Sequence, residues 1–251
     1  MLKLIKYEFR KTWFTKLILL GITAVVEVIF LIGLYAEKEG MLAMSIGLLM
    51  TLAFGGVLVI GIQSVLTLHR DMNTKQSYML FMTPHSSYSI LGAKVLENGL
   101  SMLLTGAFFF ALGMLVVTLL LAKSGELKDF WNMVQDFLKN FTIDGRELRF
   151  DAGTLATFFF SLLAGWFSAV MTAYLADVVS SALLNAKRFN GLVSFILFIA
   201  LSWMLSYVAV NLTRSIQAVQ TAYLVEAAIY MALSVVMYIV TAQIMERKLS
   251  V

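Results

Sequence analysis

The chain has 251 residues, of which 60% are apolar and only 14% are charged, and its formal net charge is +4. A soluble domain of average composition is about half apolar and about a quarter charged, so these values exclude an ordinary water-soluble globular protein. The absence of cysteine excludes disulfide bonds, thiolate metal sites and cysteine nucleophiles.

The first sixteen residues predict an amphipathic helix at the membrane surface. Apolar positions recur at helical spacing, at Leu2, Ile5, Phe9 and Trp13. Basic side chains flank this stripe, at Lys3, Lys6 and Arg10. A basic amphipathic helix of this kind lies in the plane of the membrane interface. It either anchors the chain only or also contacts a partner, and the sequence leaves both interpretations open.

Six apolar runs follow, and each is long enough to form a spanning helix, which needs about 20 residues. They cover residues 17–35, 41–68, 95–121, 155–179, 192–210 and 223–244. The sequence therefore predicts an all-α polytopic membrane protein with six transmembrane helices in a single transmembrane domain. The connections are too short to hold a separate soluble catalytic domain.

Lysine and arginine are distributed unevenly over the segments that flank these runs. The two ends of the chain and the connections 69–94 and 180–191 are rich in them, whereas the connections 36–40 and 211–222 hold one each. Because basic residues near span ends stay on the cytoplasmic side, both termini are predicted to be cytoplasmic. The same distribution explains the positive net charge without a nucleic-acid partner.

Glu27 is the charged residue nearest the middle of a predicted span. Charged groups inside the bilayer are costly and are therefore candidates for function. Gln63 in the second span is a candidate hydrogen-bond partner. Glu27 and Gln63 are thus candidate substrate-pathway residues, although a purely structural pairing explains them equally well. Asp177 and Glu226 lie near span ends and are interpreted as solvated end groups.

The connection between the second and third runs contains the only proline of the chain, Pro84, directly after Thr83. A Thr-Pro pair is typical of a helix N-cap followed by the first helical residue. We expect a short cytoplasmic helix that begins at Pro84, runs to about Ile90 and is ended by Gly92. A short helix outside the membrane needs a partner for stability, so it predicts a docking surface.

This connection resembles the corresponding segment in permease subunits of type-2 (ABC-2) ABC exporters, including bacterial exporters of peptide toxins and bacteriocins. The shared pattern is a polar stretch, an apolar turn, a proline after a small residue, several polar residues, an apolar pair and a lysine. Here these parts are residues 71–77, residues 78–82, Thr83-Pro84, residues 85–89, Ile90-Leu91 and Lys94. The basic N-terminal segment, the six spans and the length are also similar to that family.

The resemblance implies that the connection is a coupling helix inserted into a groove of a separate ATPase. Its contact residues would be Thr83, Pro84, His85, Ser86, Ser87, Tyr88 and Ile90. The resemblance further implies two ATPase subunits that hold ATP and Mg, a second copy of this chain, and a bacterial cytoplasmic membrane. No G-x-x-x-x-G-K-[ST] phosphate loop occurs, so the chain alone is expected to bind no cofactor and to be no enzyme.

The connection 122–154 contains apolar residues at helical spacing, at Leu127, Phe130, Trp131, Val134, Leu138 and Phe141. They predict a helix on the outer membrane face, followed by a turn at Asp144-Gly145. This helix would form either a lip of a substrate exit or a cap that covers the bundle.

The sequence contains 15 Met and 19 Phe, and Met-lined surfaces accommodate varied apolar ligands. This composition slightly favours a hydrophobic substrate, although most of these side chains must face lipid or fill the bundle. The resemblance to bacterial peptide exporters implies an amphipathic or hydrophobic peptide, with drugs, lipids and sodium as alternatives. The competing functional class is a stand-alone secondary transporter, channel or membrane scaffold without an ATPase. No catalytic or metal site is expected, because G-x-S-x-G and H-E-x-x-H are absent and the histidines are only His69 and His85.

Overall fold

The structure is a computed structural model that describes residues 2–73, 86–126, 128–132, 135, 142–143, 146–147, 152–184, 190–214, 216 and 218–249. Its long helices are α1 (Leu2–Tyr35), α2 (Glu39–Asn73), α3 (Ser87–Ser124), α4 (Ala152–Leu184), α5 (Asn190–Thr213) and α6 (Val219–Leu249). Within the described ranges, these six helices are long and apolar enough to cross a membrane, which confirms the predicted all-α polytopic class. Each predicted apolar run lies inside one of them.

The helices extend beyond the apolar runs, and the extension is largest in α1. Its 34 residues correspond to about 51 Å, whereas the hydrocarbon core of a bilayer is about 30 Å thick. The predicted interfacial helix over residues 1–16 is therefore not a separate element, because it continues without interruption into the first span. No proline or glycine precedes Gly21, so nothing in this stretch interrupts the backbone hydrogen bonds.

The described chain divides into two compact units. The first comprises Met1–Ser64 and Gly92–Lys128, and the second comprises Val65–Leu91 and Asp129–Val251. In the first unit, α1 and α2 pack closely where they meet, because a Cβ atom on Gly33 would lie 3.1 Å from the backbone nitrogen of Leu42. One buried apolar cluster of this unit contains Val26, Phe30, Leu34, Leu49 and Val116.

The turn after α1 explains why this helix ends at Tyr35. Glu37 has a positive φ of 57°, and the Lys38 amide donates to the Gly33 carbonyl at 3.1 Å. A left-handed residue followed by this long-range bond is the Schellman arrangement that terminates helices. Lys123 at the end of α3 binds the Leu34 carbonyl and lies 3.2 Å from the Glu37 carboxylate. This contact fixes the end of α3 beside the end of α1.

In the second unit, α4 and α6 run parallel with a constant register. The Phe158 and Tyr223 rings lie 5.6 Å apart, and the Thr172 hydroxyl donates to the Met237 sulfur at 3.5 Å. Both contacts join residues with the same sequence separation. Helix α5 reverses direction after α4, and the Ser180 hydroxyl donates to the Asn190 carbonyl at 2.7 Å. All three helices therefore form one packed group.

The structure describes part of the predicted outer loop. Residues 128–132 are helical, as predicted, whereas much of the predicted helix over 126–141 lies outside the described residues. Thr142–Ile143 pairs in antiparallel register with Arg146–Glu147. Asp144-Gly145, where a turn is predicted, also lies outside the described residues.

Candidate functional site

The predicted coupling residues are partly covered by the structure. Thr83, Pro84 and His85 lie outside the described residues, whereas the residues from Ser86 onward are described. The predicted end of the short helix at Gly92 is wrong, because Gly92 lies inside α3. A glycine in the αL conformation ends helices, but a glycine with helical dihedrals continues them at a modest cost.

Ser86 is the N-cap of α3. Its hydroxyl oxygen accepts from the Ser89 amide at 3.3 Å, and its carbonyl accepts from the Ile90 amide at 3.2 Å. This is the usual way in which a serine satisfies the free amides of a first helical turn. Ser86 is exposed, whereas Ser87 and Ile90 are buried and Tyr88 is half-buried. The side chains of Ser87 and Ile90 are thus unavailable to a partner, and Ser86 remains the exposed member of the described set.

Two polar contacts hold the helical flanks of this connection. On the α3 side, the Tyr238 hydroxyl donates to the Tyr88 carbonyl at 2.6 Å, and the two rings lie 6.1 Å apart. On the α2 side, Nδ1 of His69 lies 2.6 Å from Oδ1 of Asp177. Each flank of the connection is therefore bonded to a long helix of the second unit, α6 in one case and α4 in the other.

The interpretation of Asp177 as a solvated end group is wrong. Asp177 is only 2% exposed, and its other oxygen, Oδ2, is buried without a hydrogen-bond partner among the described residues. A buried carboxylate is costly unless it is paired, so the His69 contact is a principal compensation for its burial. Glu226 differs, because it is half-buried.

A second set of polar residues joins α1 to α3 within the first unit. We call it the α1–α3 polar cluster, and its members are Glu8, Thr12, Lys16, Lys94, Glu97 and Ser101. Lys94 lies 3.0 Å from the Glu8 carboxylate, and both side chains are almost fully buried, at 1% and 6% exposure. This pair was not predicted from the sequence. The available signal was Glu8 itself, the only acidic residue before Glu27 in a basic segment.

Glu97 is the centre of the α1–α3 polar cluster. Its Oε1 accepts three hydrogen bonds, from Thr12 at 2.8 Å, Lys16 at 2.7 Å and Ser101 at 2.8 Å. The two acidic and two basic residues of the cluster balance in charge. Burial of balanced, hydrogen-bonded pairs is tolerated, whereas loss of one partner leaves an uncompensated charge. The cluster therefore fixes the register between α1 and α3.

The predicted pairing of Glu27 with Gln63 is wrong. The Gln63 side chain instead donates to the Thr15 hydroxyl at 2.7 Å. Thr15 lies twelve residues before Glu27, which is about 18 Å along the helix axis. Oε2 of Glu27 is buried without a hydrogen-bond partner among the described residues. The structure thus does not bring together the two candidate substrate-pathway residues.

The described part of the chain has no group of three or more His, Cys, Asp or Glu residues that could hold a metal ion. His69 is occupied by Asp177, and His85 lies outside the described residues. The contacts that the structure describes at this site are anchoring contacts between helices. Comparison of the chain with protein-family models, curated proteins and solved structures gives no match.

Proposed function

We propose that the chain is the membrane-spanning permease subunit of an ATP-driven exporter of the type-2 ABC kind. Two copies form the pathway for an amphipathic or hydrophobic peptide, and the connection between α2 and α3 docks on a separate ATPase that holds ATP and Mg. The resemblance of residues 71–94 to such permeases supports this proposal, together with six helices able to span a bilayer.

The observation that carries the proposal is the anchoring of both flanks of the connection. The connection can transmit a displacement to the membrane helices only if both of its flanks are bonded to them. The His69 contact attaches one flank to α4, and the Tyr88 contact attaches the other to α6. Because α4 and α6 also pack along each other, displacement of the connection would move both helices together.

In this mechanism, ATP binding closes the ATPase dimer and displaces the connection. The anchoring contacts then transmit the displacement to α4 and α6. Packed helices respond to such a push by small rigid-body shifts between discrete arrangements rather than by continuous deformation. The chain's own part of the mechanism is transmission, and the hydrolysis of ATP takes place on the partner.

The alternative is a stand-alone carrier, channel or scaffold, and the unpartnered oxygen of Glu27 favours an ion-coupled carrier over the others. Such carriers usually have several ionisable groups within the bilayer. In contrast, residues 40–68 and 98–122 contain no charged residue. Dependence on a partner ATPase separates the two classes.

The first test is co-purification of an ATPase with the tagged chain from its native membranes. We expect Mg-dependent ATP hydrolysis in the purified fraction, and at least a tenfold loss of it when residues 83–86 are replaced by a Gly-Ser segment. Ser87 is left in place because it is buried and its replacement would disturb α3. The matched control is Lys38→Ala with Glu39→Ala, since both residues are exposed at the other end of α2. Transport by the purified chain without ATP would contradict the proposal.

The second test is the side of the membrane on which the connection lies. The chain contains no cysteine, so Ser86→Cys introduces a single thiol. We expect an impermeant maleimide to label it in inside-out vesicles and to leave it unlabelled in intact cells. Ser87→Cys is the control, because the adjacent side chain is buried and should react at least tenfold more slowly. Labelling of Ser86→Cys in intact cells would place the connection outside and end the proposal.

A further inference from the structure

The exposed side of the first half of α1 has a specific composition. We call it the basic aromatic face, and its members are Lys3, Lys6, Tyr7, Arg10, Trp13 and Phe14. All six are exposed and recur at spacings of three or four residues, so they lie on one side of the helix. The opposite side packs against α3 through the buried residues Glu8 and Thr12.

The internal pairing of Glu8 leaves this face purely positive. Glu8 is the only acidic residue among the first 26, and Lys94 neutralises it inside the protein. Lys16 is likewise paired with Glu97. The charges of Lys3, Lys6 and Arg10 are therefore exposed at the surface, and no carboxylate of the same face neutralises them.

The aromatic members of the face indicate that it lies next to lipid headgroups. Trp13 is 57% exposed and Phe14 is 73% exposed, directly before the apolar stretch that begins at Leu17. Aromatic rings at this position belong at the level of lipid headgroups. At 1.5 Å per residue, Arg10 lies about 10 Å before Leu17 and Lys3 about 21 Å before it. If α1 runs along the membrane normal with Leu17 at the hydrocarbon edge, a headgroup layer of roughly 5–8 Å has Arg10 near its outer edge and Lys3 well outside it.

From this combination of positive charge, exposed rings and distance, we propose that the basic aromatic face binds the headgroups of anionic phospholipids. The phosphate of phosphatidylglycerol is the partner that fits, because it is negatively charged and is presented at the depth of Arg10 and Trp13. This inference does not depend on the proposed function, since it concerns the lipid around α1 and not the ATPase.

The test uses the purified full-length chain, immobilised and equilibrated with mixed micelles of phosphatidylglycerol and phosphatidylcholine that carry the same acyl chains. We expect preferential retention of phosphatidylglycerol in about 0.1 M salt and its loss in about 1 M salt, where the Debye length is about 3 Å. A basic residue close to an anionic surface contributes about 1 kcal/mol to binding, so Arg10→Gln should lower the preference about fivefold. Lys3 lies farther from the headgroups, where salt screens its charge, so Lys3→Gln should lower the preference roughly twofold or less.

Three controls make the result specific. Arg10→Lys should retain the preference, since it keeps the charge. Lys38→Gln should leave it unchanged, because Lys38 lies between Glu37 and Glu39. Inorganic phosphate and polyglutamate at matched ionic strength should not displace the lipid.

Equal retention of both lipids by the unmodified chain would overturn the inference without recourse to any variant. Displacement by inorganic phosphate would overturn it in favour of a free-anion site, and displacement by polyglutamate would overturn it in favour of an acidic protein partner. Equal effects of Arg10→Gln and Lys38→Gln on the lipid preference would also overturn the inference.

Discussion

Glu97→Leu should lower the free energy of unfolding by about 3–5 kcal/mol, because three donors would lose one shared acceptor. Lys16, Thr12 and Ser101 all donate to the same oxygen, and the two hydroxyl residues are buried. Lys16 would then be a poorly compensated charge between α1 and α3. The measurement is the loss of helical circular dichroism as SDS is titrated into a mild detergent.

Paired variants separate the loss of charge balance from the loss of packing. Glu97→Gln retains an acceptor and should cost about 1–3 kcal/mol. The double variant Lys16→Met with Glu97→Leu should recover most of the loss, since Thr12 keeps its bond to the Glu8 carbonyl. Glu246→Leu, on an exposed part of α6, should change stability by less than about 0.5 kcal/mol. A double variant as unstable as Glu97→Leu would contradict the charge-balance explanation.

His69→Leu should destabilise the second unit by roughly 3 kcal/mol, because it leaves the buried carboxylate of Asp177 without the imidazole. Asp177 is 2% exposed, so water cannot replace the lost partner at little cost. The same SDS titration measures the effect, and limited proteolysis reports whether residues around the connection become accessible.

A double-mutant cycle tests whether the pair, rather than either side chain, is responsible. The variant His69→Leu with Asp177→Leu should be clearly more stable than His69→Leu alone, since it leaves no buried carboxylate without its partner. Tyr238→Phe is a matched control, because it removes the hydroxyl bond to Tyr88 and should cost only about 1 kcal/mol. Additive losses in the cycle would show that the two residues do not interact.

The sequence was sufficient to predict the six helices. Apolar residues must fill the hydrocarbon core, so each run marks a span whatever its partners are. The ends were less predictable, because a helix continues past the hydrocarbon until a turn residue ends it. Helix α1 ends at Tyr35, the last residue of the first apolar run, because Glu37 turns the chain, whereas Gly92 was predicted as an end and lies inside α3.

The contacts between helices were not predictable from one sequence. Thr12 and Glu97 are 85 residues apart, and His69 and Asp177 are 108 residues apart. Helix periodicity shows which face is apolar, but it contains no information on the register between two helices. Asp177 was therefore assigned to solvent from its position near a span end, although the second unit buries it. The coupling function and the location in a bacterial cytoplasmic membrane remain predictions.

The constant register between α4 and α6 has a consequence for biosynthesis. A ribosome adds about 5–20 residues per second, and α5 is made between these two helices. The partner of Phe158 is Tyr223, so α4 waits roughly 3–13 s for it. During this interval α4 has α5 beside it, held by the Ser180 and Asn190 contact, and the end of α2, where His69 contacts Asp177. Docking of α6 is thus the last step in the assembly of these three helices. A truncated chain that ends before α6 would expose to lipid the face of α4 that packs against α6.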